Sequence, residues 1–333
     1  MEKDCIRKIV KASGVTAGEK VLIHFWGEDE QKTVANEFMA AVASLGATPV
    51  LLQQARSVNY AVFSEAEDTC FDESYFDSLS RFDAVLDVFA YQPILLGGQL
   101  GAEQMERYRR YISSLFYALM KAKRFAQIRI PTVENAQESL LEPEEYIRRM
   151  NAAYDVDYDA LLDACGSAKK KMEHSSRYVL RTGEKCELCF DFSDREWFVD
   201  AGDGDWPCGE IYIAPNEGKT RGTIFFEKLF VEEIGTFNCI TLSVKEGRLV
   251  DADQERAANW IRSLTPENAV VCEFGLGMNP GVTQLCGETV LDEKMAGSFH
   301  IAIGANHMFG GQNRAQTHMD LVNDGRFELL PLD

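Results

Sequence analysis

Lys20-Val21-Leu22-Ile23-His24-Phe25, then residues 31–45, then Thr48-Pro49-Val50-Leu51-Leu52 form the stretch on which the fold turns. The first run is short and almost wholly apolar, as a strand buried on both faces must be. Residues 31–45 carry Val34, Phe38, Val42 and Leu45 at helical spacing, and Gly46 follows where a helix C-cap belongs. A second apolar run at Thr48–Leu52 completes a strand–helix–strand unit. The alternation continues outward with Asp83–Phe89 as a third strand, residues 103–123 as a long helix, and Ala126–Ile130 as a fourth strand stopped by Pro131. That order predicts a parallel sheet covered by helices.

Residues 142–173 are helical in pattern, with Tyr158, Leu161, Leu162 and Cys165 on one apolar stripe and Lys169-Lys170-Lys171 at a solvated end. Beyond Ser176 the character changes. Tyr178–Leu180, Cys186–Phe192, Glu210–Ile213, Gly222–Phe226, Cys239–Val244 and Phe299–Ile303 are short β-type segments divided by Gly, Asp, Asn and Pro, with one helix near 253–263. The expected fold class is therefore α/β: a parallel-sheet α/β domain at residues 1–175, followed by a β-rich domain at 176–333 built as an antiparallel sheet or barrel.

A wound parallel sheet raises the question of a nucleotide. Leu96-Gly97-Gly98-Gln99-Leu100-Gly101 is glycine-rich but lacks G-x-G-x-x-G spacing after the first strand, and no G-x-x-x-x-G-K-[ST] occurs. His24, inside a central strand, reads as a hydrogen-bonded core histidine.

The chain of 333 residues has a formal net charge of −19 and 46% hydrophobic residues. The charge argues against nucleic-acid binding, which needs a basic surface. No apolar run reaches the roughly 18 residues of a membrane span. Met1-Glu2-Lys3-Asp4-Cys5 is acidic where a secretory signal is basic, so the cytoplasm is the expected address. Nine scattered cysteines read as reduced thiols, and Cys186 and Cys189, three apart, fall on opposite faces of a strand.

The chemistry gathers in the β-rich half. Three of five histidines, His300, His307 and His318, lie near the C-terminus, and the last opens His318-Met319-Asp320. On an extended segment His318 and Asp320 point to one side. Upstream, Glu210 in Pro207-Cys208-Gly209-Glu210-Ile211-Tyr212-Ile213-Ala214-Pro215 and Glu273 in Cys272-Glu273-Phe274-Gly275-Leu276-Gly277-Met278-Asn279-Pro280 are carboxylates among mostly apolar neighbours. Such a carboxylate is either paired or bound to a cation. Imidazoles and carboxylates gathered in one domain suit a divalent metal. Trp206 and Tyr212 either line a pocket or fill core, and Asn279-Pro280 reads as a turn.

These four motifs, Pro207–Pro215, Glu273–Pro280, Glu293-Lys294 through His300 to Gly304, and His318-Met319-Asp320, closely resemble in sequence and order those of the thermophilic metallo-aminopeptidase (aminopeptidase T) family. The resemblance implies two domains, a homodimer, and two divalent metal ions (zinc, cobalt or manganese) held by Glu210, Glu273, His300, His318 and Asp320. It implies cleavage of N-terminal residues from small peptides by a metal-activated water, with Glu210, Glu273 and His307 as catalytic residues. His307 departs from the pattern, since the family places a tyrosine there. Glu273, ahead of a tight Gly-x-Gly turn, is the expected bridge between the metals, and Glu210 a ligand that also relays protons. Glu293 either orients the His300 imidazole or forms a surface ion pair. The same scaffold also resembles 2,5-dihydroxypyridine dioxygenases, in which two histidines and an aspartate hold one iron; a non-catalytic metal-binding relative is the third reading.

Overall fold

The computed structural model describes residues 1–93, 96, 100–202 and 204–332. Gly97, Gly98 and Gln99 of the glycine-rich stretch considered above lie outside the described residues. The chain divides into two compact units, one of Met1–Tyr158 with Gly202–Pro207 and the other of Asp159–Ala201 with Cys208–Asp333. The helix Tyr158–Met172, which falls in the first domain of the 1–175 division, thus lies almost wholly in the second unit.

In the first unit a parallel sheet runs in the order Thr48–Gln53, Lys20–Trp26, Ala84–Phe89, Arg124–Arg129, Asp205–Trp206. Every residue of Ala84–Phe89 is buried, as expected of a parallel strand covered on both faces. Pro49 is tolerated because its strand is at the sheet edge. The helix expected at 31–45 spans Lys32–Ser44, after a 3-10 turn at Asp29–Gln31, and the long one spans Ala102–Leu119. His24 is fully buried, with Nδ1 2.8 Å from Asp87 Oδ1, and Trp26 Nε1 donates to the same oxygen at 3.0 Å. Burial raises the Asp87 carboxyl above its usual range.

In the second unit two antiparallel sheets pack face to face. Among the described residues neither closes into a barrel. One sheet has the order Arg248–Ala252, Gly235–Lys245, Arg221–Val231, Cys186–Asp191, Arg177–Thr182, Phe327–Pro331. The other has the order His318–Asn323, Phe299–Gly304, Val271–Gly277, Glu210–Ile213, Phe198–Asp200. Aromatic rings fill the space between them: Phe190 and Phe299 of opposite sheets meet Phe274 and Phe327 respectively with centroids 4.9 Å apart, and Phe226 meets Phe299 at 6.2 Å. Because side chains alternate along a strand, turning Phe274 into this core sends Glu273 and Gly275 to the opposite face. All nine cysteines are free, Cys186 and Cys189 three apart on one strand. Among the described residues no helix is long and apolar enough to cross a membrane.

Two expectations need correction. Leu162 is 54% exposed and so lies off the apolar stripe of its helix. Gly275-Leu276-Gly277 forms no turn: it belongs to the strand Val271–Gly277. Glycine has two distinct uses, positive φ and the absence of a Cβ, and here only the second applies. A Cβ at Gly275 would overlap Cε1 and Nε2 of His300, and one at Gly277 would overlap the backbone oxygen of Met295.

Candidate metal centre

The outer face of the second sheet gathers charged groups from all five strands. Cross-strand register sets Asp200 opposite Glu210, Glu210 opposite Gly277, Gly275 opposite His300, Glu273 and Asp320 on either side of Ala302, and Gly304 opposite His318. Each candidate ligand thus has a glycine or alanine as a cross-strand neighbour. Directly opposed Cβ atoms in a sheet are only about 4.5–5.5 Å apart, so two large side chains could not both lean over the centre of such a face. Small partners make the room.

All five residues predicted as ligands come together, in two groups that share Glu273. Glu210, Glu273 and His300 form one, and Glu273, His318 and Asp320 the other, the donor atoms of each lying within 4.8 Å of one another. Glu273 Oε1 is 3.2 Å from His300 Nε2, while its Oε2 is 3.4 Å from His318 Nε2. The carboxylate therefore turns one oxygen to each imidazole. Glu210 Oε2 lies 3.6 Å from His300 Nε2, and Asp320 Oδ1 lies 3.6 Å from His318 Nε2. Both of these oxygens are buried and lack a hydrogen-bond partner among the described residues. Buried acceptors left in this way are costly unless something positive joins them.

This donor set fits divalent metal. Ligand bonds of about 2.0–2.2 Å in a tetrahedral site put neighbouring donors about 3.3–3.6 Å apart, close to the 3.2–3.6 Å separating imidazole nitrogens from carboxylate oxygens here. His318 Nδ1 lies 2.8 Å from the Ala305 carbonyl oxygen; donation to it leaves the Nε2 lone pair facing Glu273 and Asp320. Phe309 packs edge-on to His318 at 5.9 Å and to Tyr212 at 5.5 Å, and Tyr212 stacks on Phe198, so an aromatic border flanks the site. Trp206 instead fills core in the first unit against Tyr154 and Tyr158.

Without metal, the cluster holds protons. Burial pushes Glu210 up to about 8, against the pull of Lys294. At His300 burial opposes the charge but is outweighed by the hydrogen bond to Glu273 and the charges of Glu210 and Asp320, and its pKa rises to about 9. His318 rises as well, burial being outweighed by Asp320 and Cys272. Cations must displace these protons, so metal affinity is expected to increase with pH through about 8 and 9 and to fall below. Cobalt titration in weak buffer should release protons at pH 7. Affinity that stays constant from pH 7 to 9 would contradict this assignment of protons.

Other residues stand differently from expectation. His307 lies in a turn, half-buried, and joins neither group among the described residues. Glu293 forms no surface pair: it is buried, 2.8 Å from Lys294 Nζ and in contact with Asp320. Asn279 is more than a turn residue. It is fully buried, its amide donates to Cys208 O at 2.7 Å, and its backbone N–H donates to Lys294 O at 2.7 Å, which ties the Glu210, Glu273 and Lys294 segments together. Sequence reasoning missed Asp200 and Lys294, which lie 3.4 Å apart beside Glu210. The available signal was the place of Lys294 within a motif already quoted.

Comparison with known proteins identifies the lineage. Residues 9–327 match the model of the thermophilic metalloproteases, M29. The chain belongs to that family. This M29 metalloprotease is a metal-dependent hydrolase of the kind its family defines. Among solved structures it is similar to wild-type AmpT from Thermus thermophilus, with 16% identity, TM-score 0.68, and coverage of 98% of this chain and 94% of that one. It is also similar to 2,5-dihydroxypyridine dioxygenase from Pseudomonas putida KT2440, with 15% identity, TM-score 0.67, and coverage of 99% and 93%. At such identities the likeness shows the shared fold. No curated protein matches the M29 metalloprotease.

Proposed function

We propose that the M29 metalloprotease is an aminopeptidase that uses two divalent ions, zinc, cobalt or manganese, held by Glu210, Glu273, His300, His318 and Asp320. The observation that carries this reading is Glu273, whose two oxygens face separate imidazoles, each with a further carboxylate. Charge supports it as well. Asp200, Glu210, Glu273, Glu293 and Asp320 are five carboxylates largely removed from water, and Lys294 is the ammonium among them, so four negative charges are left for two divalent cations to neutralise. A single iron held by two histidines and one aspartate would leave two of these charges to be balanced by protons.

Bound divalent ions would polarise the scissile carbonyl and lower the pKa of a water toward neutrality. The chain's own residues do the rest. Glu210, whose proton affinity burial raises, takes the proton released in the attack and passes it to the leaving amine. A carboxylate-rich site attracts the free α-ammonium of a peptide. The Tyr212, Phe198 and Phe309 border meets an apolar side chain, and His307 offers substrate a hydrogen bond. The catalytic domain in this reading is the β-rich 176–333 region, and the homodimer is assigned on family resemblance.

The test pairs metal analysis with substrate choice. The protein is offered a short peptide with a free amino terminus and its N-acetylated counterpart. Release of one N-terminal residue from the free peptide alone, with two metal equivalents per chain, is expected. Cleavage of both peptides internally, or one iron with oxygen uptake on 2,5-dihydroxypyridine, would overturn the reading.

A further inference from the structure

Lys294 has a place in this centre that the ligand set does not account for. Its side chain is 1% exposed, and Nζ lies 2.5 Å from Glu210 Oε1, 2.8 Å from Glu293 Oε1 and 3.4 Å from Asp200 Oδ2. Lysine is very rarely buried to this extent unless paired. The three carboxylates come from separate segments: Asp200 ends one strand, Glu210 begins the strand paired with it, and Glu293 follows the short helix Thr289–Asp292. Neighbouring backbone is fixed too, since the Lys294 carbonyl accepts from Asn279 N–H and its own N–H donates to Leu291 O. The ammonium has little freedom to leave.

The two oxygens of Glu210 are thereby made unlike. Oε1 accepts from Lys294 Nζ, whereas Oε2 has no hydrogen-bond partner among the described residues and faces His300 Nε2 at 3.6 Å. We propose that Lys294 is a positioning residue that occupies Glu210 Oε1, so that only Oε2 can bind the cation of the His300 side, and that Asp200 and Glu293 anchor the ammonium for this task. The inference rests on the two-metal reading above. An unconstrained carboxylate chelates or swings between one-oxygen and two-oxygen binding; one held by a buried ammonium presents a single oxygen in a fixed direction. It also explains an asymmetry in the centre, because among the described residues the His318 side has no lysine: there Asp320 contacts Glu293 and His318. Lysine supplies three donors and no acceptor, and three carboxylates around it match that capacity.

The experiment is a cobalt titration of metal-free protein, read by visible absorption and by equivalents bound. Wild type should take up two cobalt ions per chain. Lys294→Met should weaken one of them by about 10- to 100-fold, the range for losing a partner that orients a ligand, with the other unchanged. Lys294→Gln, which keeps an N–H donor, should recover part of the loss. Should Lys294→Met fail to fold, Asp200→Asn/Lys294→Met removes one charge of each sign and should show the same selective weakening. A residue that only supports the fold would lower the melting temperature and leave both cobalt affinities as they were. That outcome, or equal weakening of both sites, overturns the proposal. Wild type binding fewer than two cobalt ions would instead strike at the two-metal reading.

Discussion

Glu273→Gln is expected to leave the fold intact, reduce bound metal from two equivalents to at most one, and lower kcat/KM by more than about 100-fold, since even partners outside the ligand set contribute 10- to 100-fold. The substitution is nearly isosteric. Its strand is held by Phe274 in the aromatic core and by pairing with the strands of Glu210 and His300, none of which it touches. What it removes is a charge shared by two imidazoles. Glutamine offers one oxygen and an amide that is a donor, so one of His300 and His318 would face N–H where it faced an acceptor. Full occupancy of both sites in Glu273→Gln, measured by metal analysis, would contradict the shared role.

Gly275→Ala should be nearly as damaging although it adds one methyl group. Gly275 is paired with His300 across the sheet, and the new Cβ would overlap the Cε1 and Nε2 atoms of that imidazole. Overfilling a packed site costs about 1–3 kcal/mol, and a shift of about 1 Å in a reacting geometry costs on the order of 100-fold in rate. The ring must move, because the strand's other face is fixed in the core. A lower melting temperature with kcat/KM down about 100-fold is expected; unchanged activity would sink this explanation of the glycine. Gly166→Ala is the internal control. It lies in the helix Tyr158–Met172 with nothing within 4 Å of the added carbon, so it should be neutral or stabilising by up to about 1 kcal/mol.

The contrast between those glycines shows where sequence is readable. Lys20–Phe25 announces itself as a strand because burial on both faces demands a continuous apolar run, and Thr48–Leu52 is as apolar although, at the sheet edge, none of its residues is buried. Some antiparallel strands of the second unit, among them Cys186–Asp191 and Phe299–Gly304, are legible as short β-type runs between turn residues, whereas the glycines of Val271–Gly277 disguise that strand as a turn, and the helix Glu255–Ser263 lies within the expected 253–263. Asp205–Trp206 is not legible: two residues carry no periodicity, and their pairing with Arg124–Arg129 spans a long sequence separation. The ligand candidates could be named from motif order, and His318 and Asp320 from period-two geometry.

Lys294 escaped notice for a physical reason. Leu291-Asp292-Glu293-Lys294-Met295 reads as a charged, solvated helix end, yet Asp292, Glu293 and Lys294 are all buried. Local sequence says that charges need partners, and only the fold says that these partners are Asp200 and Glu210 rather than water. Gly275 and Gly277 misled in a related way, since a glycine required for its missing Cβ is spelled the same as one required for a turn.

The most direct test of the shared-carboxylate centre is anomalous diffraction from crystals grown with zinc or cobalt. Two anomalous peaks are expected, one among Glu210, Glu273 and His300 and the other among Glu273, His318 and Asp320, with a different Glu273 oxygen toward each. A single peak that does not touch Glu273, or metal bound away from these five side chains, would contradict it.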